Sequence, residues 1–202
     1  MKIPAVTVLI SLLTLGETET AVAASSQKRL KDWETLTERL RNVPLNQRIE
    51  ETNAFFNRLS YKSDARLWGK EDYWATPAEF LKRGAGDCED YAIAKYITLR
   101  NAGVPESQLR LAYVRYKPSF QAHMVLIVED SNGNQVVMDN LTNALQSPER
   151  RGDLEPVYAF NDINLWMLDG DYEKQLIGLS SQLPNWVAFK NKTWSSGLWV
   201  HR

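Results

Sequence analysis

The hydrophobic pattern of this 202-residue chain changes its period once, near residue 105, and no other feature constrains the fold as strongly. Before that point, apolar residues recur every three or four positions, as in amphipathic helices; after it they alternate, as in half-buried strands. Helices that precede the strands, instead of alternating with them, predict an α+β fold in which helices pack on an antiparallel sheet. The length fits one domain, and 44% hydrophobic residues are enough for a core.

Helical spacing is predicted in three regions. Residues 27–60 carry two apolar stripes that Pro44 separates. Thr76, followed by Pro77 and Glu79, has the sequence of a capping box, which predicts the start of a short helix. A third helix is expected to begin at residue 87 or 88 and to end near residue 101, because a glycine and a proline follow it.

Alternating strands are predicted over residues 109–115, 123–130 and 135–140. Residues 131–133, Ser-Asn-Gly, form a turn signal that joins the last two strands into a hairpin. Residues 150–202 show no single period, but their tryptophans supply enough apolar surface for them to fold back onto the domain.

The length of this turn decides whether His123 and Asp139 lie on the same face of the hairpin. A two-residue loop would place Asp139 opposite Leu126 and put the two side chains on opposite faces, because side chains alternate along a strand. A three-residue loop would place Asp139 opposite Val125 and diagonal to His123, within reach of a side-chain contact. Gly133 at the third loop position favours this second register, with a bulge at the glycine.

Composition excludes several classes of protein. The chain has 24 Lys and Arg against 25 Asp and Glu, so it has no overall field that would attract nucleic acid. Its single cysteine excludes an intrachain disulfide framework and a cysteine-rich zinc site, and its two histidines exclude a histidine-rich metal site.

The first residues have the pattern of a secretory signal peptide. Lys2 supplies a short positive region, residues 3–15 are largely apolar, and residues 21–23 (Ala-Val-Ala) fit a cleavage site. The apolar run is too short to span a bilayer, and no second hydrophobic stretch is long enough for a span. We therefore expect no stable membrane insertion after the signal peptide is removed. We predict a signal peptide at residues 1–23, a single domain at 24–202 and a periplasmic or extracellular location.

Cys88 is predicted to lie where a glycine-rich loop enters the third helix. Backbone N–H groups and the helix dipole there favour a thiolate and can hold an oxyanion, although a single cysteine is also commonly an inert core residue. The carboxylates of Asp87, Glu89 and Asp90 oppose the thiolate and raise the pKa of the thiol. They either complement the helix dipole or bind a hard cation such as calcium.

Cys88, His123 and Asp139 have the chemistry of a thiol triad. The imidazole accepts the thiol proton, and the carboxylate orients the ring and stabilises its positive form. A satisfied core histidine and an ordinary strand-end carboxylate are the alternative interpretations. Trp74, in the loop before the short helix, either lines a substrate groove or packs in the core.

Four segments carry a more specific pattern than the triad alone. Residues 86–96 (GDCEDYAIAKY), 122–126 (AHMVL) and 138–141 (MDNL), with 74–81 (WATPAEFL), resemble the bacterial transglutaminase-like cysteine proteinases of the LapG type. The resemblance covers about residues 60–145. It implies a transglutaminase-like, papain-related α+β core with the nucleophile at a helix N-terminus.

The resemblance also implies function. The chain would be a calcium-dependent periplasmic cysteine endopeptidase that cleaves the N-terminal region of a large surface adhesin, releases it and disperses biofilm. Its partner would be the periplasmic domain of an inner-membrane receptor that senses cyclic di-GMP, and we expect a monomer. The family's triad matches Cys88, His123 and Asp139. Its calcium ligands match carboxylates beside the nucleophile: Asp87, Glu89 and, as a further candidate, Asp90.

Two alternatives remain open at the level of sequence. A transglutaminase-type acyltransferase would form the same thioester and pass the acyl group to an amine instead of water. A calcium-dependent binding module without activity belongs to a different class, and the complete set of triad residues argues against it.

Overall fold

The computed structural model describes residues 6–130, 132–172 and 174–195. The helices are α1 (Val6–Leu40), α2 (Leu45–Phe56), α3 (Asp64–Leu67), α4 (Pro77–Arg83), α5 (Cys88–Asn101) and α6 (Pro184–Ser195). The strands are β1 (Ser60–Tyr61), β2 (Ala85–Gly86), β3 (Leu109–Tyr116), β4 (Gln121–Glu129), β5 (Gln135–Met138), β6 (Leu154–Phe160), β7 (Asn164–Leu168) and β8 (Lys174–Leu179).

The main layer is a six-stranded antiparallel sheet with the strand order β5-β4-β3-β6-β7-β8. Helix α5 packs on β3 and β4, and the largest apolar cluster lies between this helix and the sheet. β1 and β2 form a separate parallel pair beside the start of α5. The predicted α+β architecture, with helices packed on an antiparallel sheet, is confirmed.

Most predicted helix ends agree with the structure, but α1 begins at Val6 instead of near residue 27, and α2 ends at Phe56 instead of near residue 60. α1 ends and α2 begins on either side of Pro44. The hydroxyl of Thr76 accepts a hydrogen bond from the N–H of Glu79, and the carboxylate of Glu79 accepts one from the N–H of Thr76, so the capping box is complete. α5 spans Cys88–Asn101, as expected.

The hairpin between β4 and β5 adopts the register of the three-residue loop. Leu126 pairs with Met138 and Glu129 pairs with Gln135, and Gly133 has a φ of 83°. The same register continued beyond β5 places Asp139 opposite Val125, on the face that His123 shares. The turn glycine therefore predicted correctly which side chains lie together, because a shift of one residue would have turned Asp139 to the other face.

Half of the main sheet comes from a region without a clear period in the sequence. β6, β7 and β8 lie within residues 150–202, and β6 pairs with β3 instead of with the strand that precedes it in the chain. The pairing is non-local, so it depends on burial of side chains from distant segments and leaves little local pattern.

The chain's first segment is helical in the structure. α1 runs through the predicted cleavage site, and residues 1–5 lie outside the described residues. Among the described residues, no helix is both long and apolar enough to cross a membrane. The signal peptide stays a prediction.

The capping box gives a prediction for stability. Replacing the N-cap residue in Thr76→Ala leaves the N–H of Glu79 without its acceptor, so we expect the free energy of unfolding to fall by about 1 kcal/mol. Thr35→Ala, at an exposed position within α1, is the matched control and should change it by less than about 0.5 kcal/mol. Urea denaturation followed by circular dichroism measures both; equal losses would contradict the capping role.

Candidate active site

One surface cavity of about 380 Å³ contains two of the three residues predicted to form a triad. Cys88 enters it from the first turn of α5, and His123 enters it from β4. Its other lining residues are Asp72, Trp74, Glu89, Tyr113, Ala122, Met124, Tyr158 and Asn185. A cleft lined by aromatic rings and a few polar groups has the character of a binding site for an organic ligand or a peptide.

Local packing determines where α5 begins. A Cβ atom added to Gly86 would lie 2.4 Å from a carboxylate oxygen of Asp90 and 2.8 Å from the ring of Phe80, so only glycine fits there. The backbone at Gly86 therefore lies close to the first turn of α5, whose N-cap residue is Asp87. The carboxylate of Asp87 accepts a hydrogen bond from the N–H of Asp64 at 3.1 Å, which ties the start of α5 to α3.

The Cys88 thiol is partly exposed and lies among negative charges. It donates a hydrogen bond to a carboxylate oxygen of Glu89, with 2.8 Å between sulfur and oxygen. Burial raises the pKa of this thiol well above its usual value, the charge and hydrogen bond of Glu89 add to the effect, and the backbone N–H of Met124 opposes it. The protonated thiol is therefore favoured while the Glu89 carboxylate is free to accept its hydrogen bond.

His123 and Asp139 form a buried pair. Nε2 of His123 lies 2.8 Å from Oδ1 of Asp139, and the same oxygen accepts a hydrogen bond from the N–H of Leu141 at 3.0 Å. The other oxygen, Oδ2, accepts a hydrogen bond from Arg151 at 2.7 Å. Burial alone would raise the pKa of Asp139, but these partners outweigh it and lower the pKa to about 2. Asp139 is therefore ionised at neutral pH.

Arg151 was not among the residues that the sequence singled out. Its side chain is buried and bridges Asp139 and Asp153, at 2.7 and 2.8 Å. Asn57, from the end of α2, donates a further hydrogen bond of 2.8 Å to the backbone carbonyl of Asp139. Both partners are distant from Asp139 in the chain, and neither lies in a motif that marks a contact with it.

A compact group of acids lies beside the nucleophile. Ligand oxygens of Asp64, Asp87 and Glu89 all lie within 4.8 Å of one another. Burial, together with the like charges around it, raises the pKa of Asp87 to about 9. One buried oxygen each of Asp64 and Asp87 has no hydrogen-bond partner among the described residues. Unpaired carboxylate oxygens in one small space fit a hard cation such as calcium, which would supply the missing partner and balance the charge.

Two predicted ligands belong to this group and the third does not. Asp87 and Glu89 lie in it, whereas Asp90 is outside it and accepts a hydrogen bond of 2.8 Å from the N–H of Ala75. Asp64 takes part without having been predicted, because it comes from a helix 23 residues earlier in the chain. Only the packing of α3 against the start of α5 brings it there.

Trp74 lines the cavity and also packs inward. Its ring stacks on Phe160 at 5.9 Å and lies 6.4 Å from the ring of Trp186. Its backbone carbonyl accepts a hydrogen bond of 2.6 Å from Lys192 of α6. Both interpretations of this residue therefore describe part of its environment: it forms a wall of the cleft and a contact of the core.

Both the sequence and the fold of the chain are similar to known proteins. Residues 19–152 match the family model described as bacterial transglutaminase-like cysteine proteinase, BTLCP. No curated protein sequence matches the chain.

Solved structures of LapG from Legionella pneumophila are similar over most of their length. One is 36% identical with a TM-score of 0.73, and the match covers 83% of this chain and 87% of that one. An EGTA-treated form is 36% identical with a TM-score of 0.73, and the match covers 83% of this chain and 89% of that one. A calcium-bound form is 33% identical with a TM-score of 0.73, and the match covers 88% of this chain and 98% of that one. The likeness therefore extends beyond the segments around the cavity.

The ion pair between Arg151 and Asp139 gives a second prediction. Arg151→Met leaves the carboxylates of Asp139 and Asp153 without their cation, one of them buried, so we expect the free energy of unfolding to fall by about 3 kcal/mol. Arg150→Met changes the exposed neighbour and should cost less than about 0.5 kcal/mol. Urea denaturation at pH 7 compares the two variants. A loss for Arg151→Met no larger than that for the control would show that the pair contributes little.

Proposed function

The chain belongs to the bacterial transglutaminase-like cysteine proteinases, as its sequence resemblance implied, and we propose that it is a calcium-dependent endopeptidase of the periplasm. Its substrate would be the N-terminal region of a large cell-surface adhesin, whose release promotes biofilm dispersal. The observation that carries the proposal is the buried pair of His123 and Asp139 in the cleft that Cys88 shares.

The proton transfers follow from the hydrogen bonds of His123. Because Nε2 is bonded to Asp139, Nδ1 is the ring nitrogen left to take the Cys88 proton. The ionised carboxylate stabilises the imidazolium that forms, and Arg151 holds that carboxylate in place. Asp139 thus orients the ring without itself becoming protonated.

The thiolate of Cys88 attacks the scissile carbonyl carbon. Backbone N–H groups at the start of α5 stabilise the negative oxygen that develops, because they point out of the helix N-terminus. The imidazolium of His123 then gives its proton to the leaving amine, and water hydrolyses the thioester.

Calcium fits the acidic group beside the nucleophile. Asp64, Asp87 and Glu89 would hold it, and Asp90 would support the group from its bond to Ala75. Bound there, calcium supplies positive charge that offsets the carboxylates next to the thiol. In the structure, the thiol of Cys88 donates a hydrogen bond to the carboxylate of Glu89. If that carboxylate were engaged by the cation, the thiol proton would be available to His123.

The substrate and the location rest on relatives and on the predicted signal peptide. LapG of Legionella pneumophila has been solved in calcium-bound and EGTA-treated forms, which supports a role for calcium here. The receptor for this protein would be the periplasmic domain of an inner-membrane protein that senses cyclic di-GMP. The cleft would accept one extended stretch of the adhesin.

The proteolytic function predicts a single cut that depends on the thiol. We expect purified protein to cleave the N-terminal fragment of the host's large repeat adhesin once, and Cys88→Ala to lose at least about 10³-fold in rate while keeping its circular dichroism spectrum. Gel electrophoresis and mass spectrometry locate the cut. Cleavage by Cys88→Ala would remove Cys88 from the mechanism, and incorporation of a labelled amine instead of cleavage would favour an acyltransferase.

The acidic group predicts calcium-dependent stability. Calcium at about 100 times its dissociation constant should raise the free energy of unfolding by about 2.7 kcal/mol relative to EGTA. Asp64→Asn keeps the acceptor for the Tyr73 N–H but loses a charge, so most of this gain should disappear. Asp32→Asn, at an exposed acid in α1, should keep it. Thermal unfolding of each variant, with calcium and with EGTA, measures this gain. If calcium does not stabilise the natural protein, the proposed calcium site is wrong.

A further inference from the structure

The loop between β3 and β4 holds a phenylalanine in an unusual position. Phe120 has a φ of 56°, in the left-handed region that bulky residues avoid. Phe120 is nevertheless 79% exposed, so packing within the described fold offsets little of the energetic cost of this conformation. A backbone outlier kept at an exposed aromatic residue suggests a role outside the fold.

The position of Phe120 relates it to the cleft. Ala122, two residues further along β4, lines the same cavity as Cys88, and His123 follows it. At the rise of a strand, the backbone at Phe120 lies about 7 Å from that at Ala122, the length of two residues of an extended peptide. A substrate chain leaving the cleft along β4 would pass this residue.

The base of the loop is fixed. Tyr116 pairs with Gln121, and the backbone N–H and the Nζ of Lys117 donate hydrogen bonds of 2.9 Å to the carbonyls of Asp153 and Gly152. The ring of Tyr116 lies 6.4 Å from that of His123, so the loop begins directly beside the catalytic histidine. A ring presented on such an anchored loop loses little freedom when it binds.

We infer that Phe120 is a docking residue for the polypeptide substrate, contacting an apolar side chain two or three residues from the bond that is cut. The inference rests on the proposed endopeptidase function. Aromatic residues that become buried in a contact supply large apolar area, which is why they often dominate binding. The contact lies beyond the reacting atoms, so it affects substrate binding and leaves the proton transfers unchanged.

Three variants test this inference on the N-terminal adhesin fragment. Phe120→Ser removes the ring, and Phe120→Gly removes it while relieving the backbone, because glycine adopts positive φ freely. Leu176→Ser is the control, since this leucine is 61% exposed on β8, at the opposite edge of the sheet from β5. We expect kcat/KM to fall about tenfold for both Phe120 variants, mainly through KM, and not for the control.

A second substrate and a stability measurement sharpen the test. A blocked dipeptide amide, with one residue on each side of the cut, lacks the side chain that Phe120 would contact, so both Phe120 variants should cleave it at the natural rate. Phe120→Gly should also unfold at the same temperature as the natural protein or a higher one. A lower melting temperature for Phe120→Gly would make the ring a structural residue and overturn the inference.

The remaining outcomes separate this inference from the proposed function. If the natural protein cleaves the fragment and the Phe120 variants do so with unchanged kcat/KM, the docking role alone is wrong. An equal loss on the dipeptide amide would also overturn it, because the effect would then lie at the reacting atoms. If the natural protein neither cleaves nor binds the fragment, the proposed function fails and the docking role fails with it.

Discussion

The site depends on the hydrogen bonds that the buried carboxylate of Asp139 accepts. One oxygen bonds to His123 and the other to Arg151, while the backbone carbonyl of the same residue bonds to Asn57. Three separate parts of the chain, namely β4, the segment before β6 and α2, are thereby joined at one buried group. The hydrogen bond to this buried carboxylate fixes the orientation of the imidazole of His123.

The start of α5 combines two demands that oppose each other. A nucleophilic thiol needs positive surroundings, yet Cys88 lies between Asp87 and Glu89, and its pKa is raised. Those acids form a group with Asp64 that leaves oxygens unpaired. A cation bound there would resolve the conflict, so the same residues that hinder the thiol without metal would permit its activation with metal. The proposed calcium dependence would then have a physical reason, although the chemistry of a cysteine protease does not itself need a metal.

Short-range features of the sequence predicted much of this arrangement. The glycine at position 133 favoured a three-residue loop, and that loop set the register that turns His123 and Asp139 toward the same face. The capping box at Thr76 and the glycines before Cys88 predicted where two helices begin. These predictions succeeded because turns and helix ends follow from interactions between residues a few positions apart.

The sequence by itself determined where α4 begins, the bounds of α5 and the register of one hairpin. It also predicted the nucleophile and its two partners, through the resemblance. The tertiary structure alone decided that Asp64 joins Asp87 and Glu89, that Arg151 pairs with Asp139, and that β6 lies next to β3. These contacts join residues far apart in the chain. They arise only when burial of the whole core brings those segments together, and no local pattern encodes such a meeting.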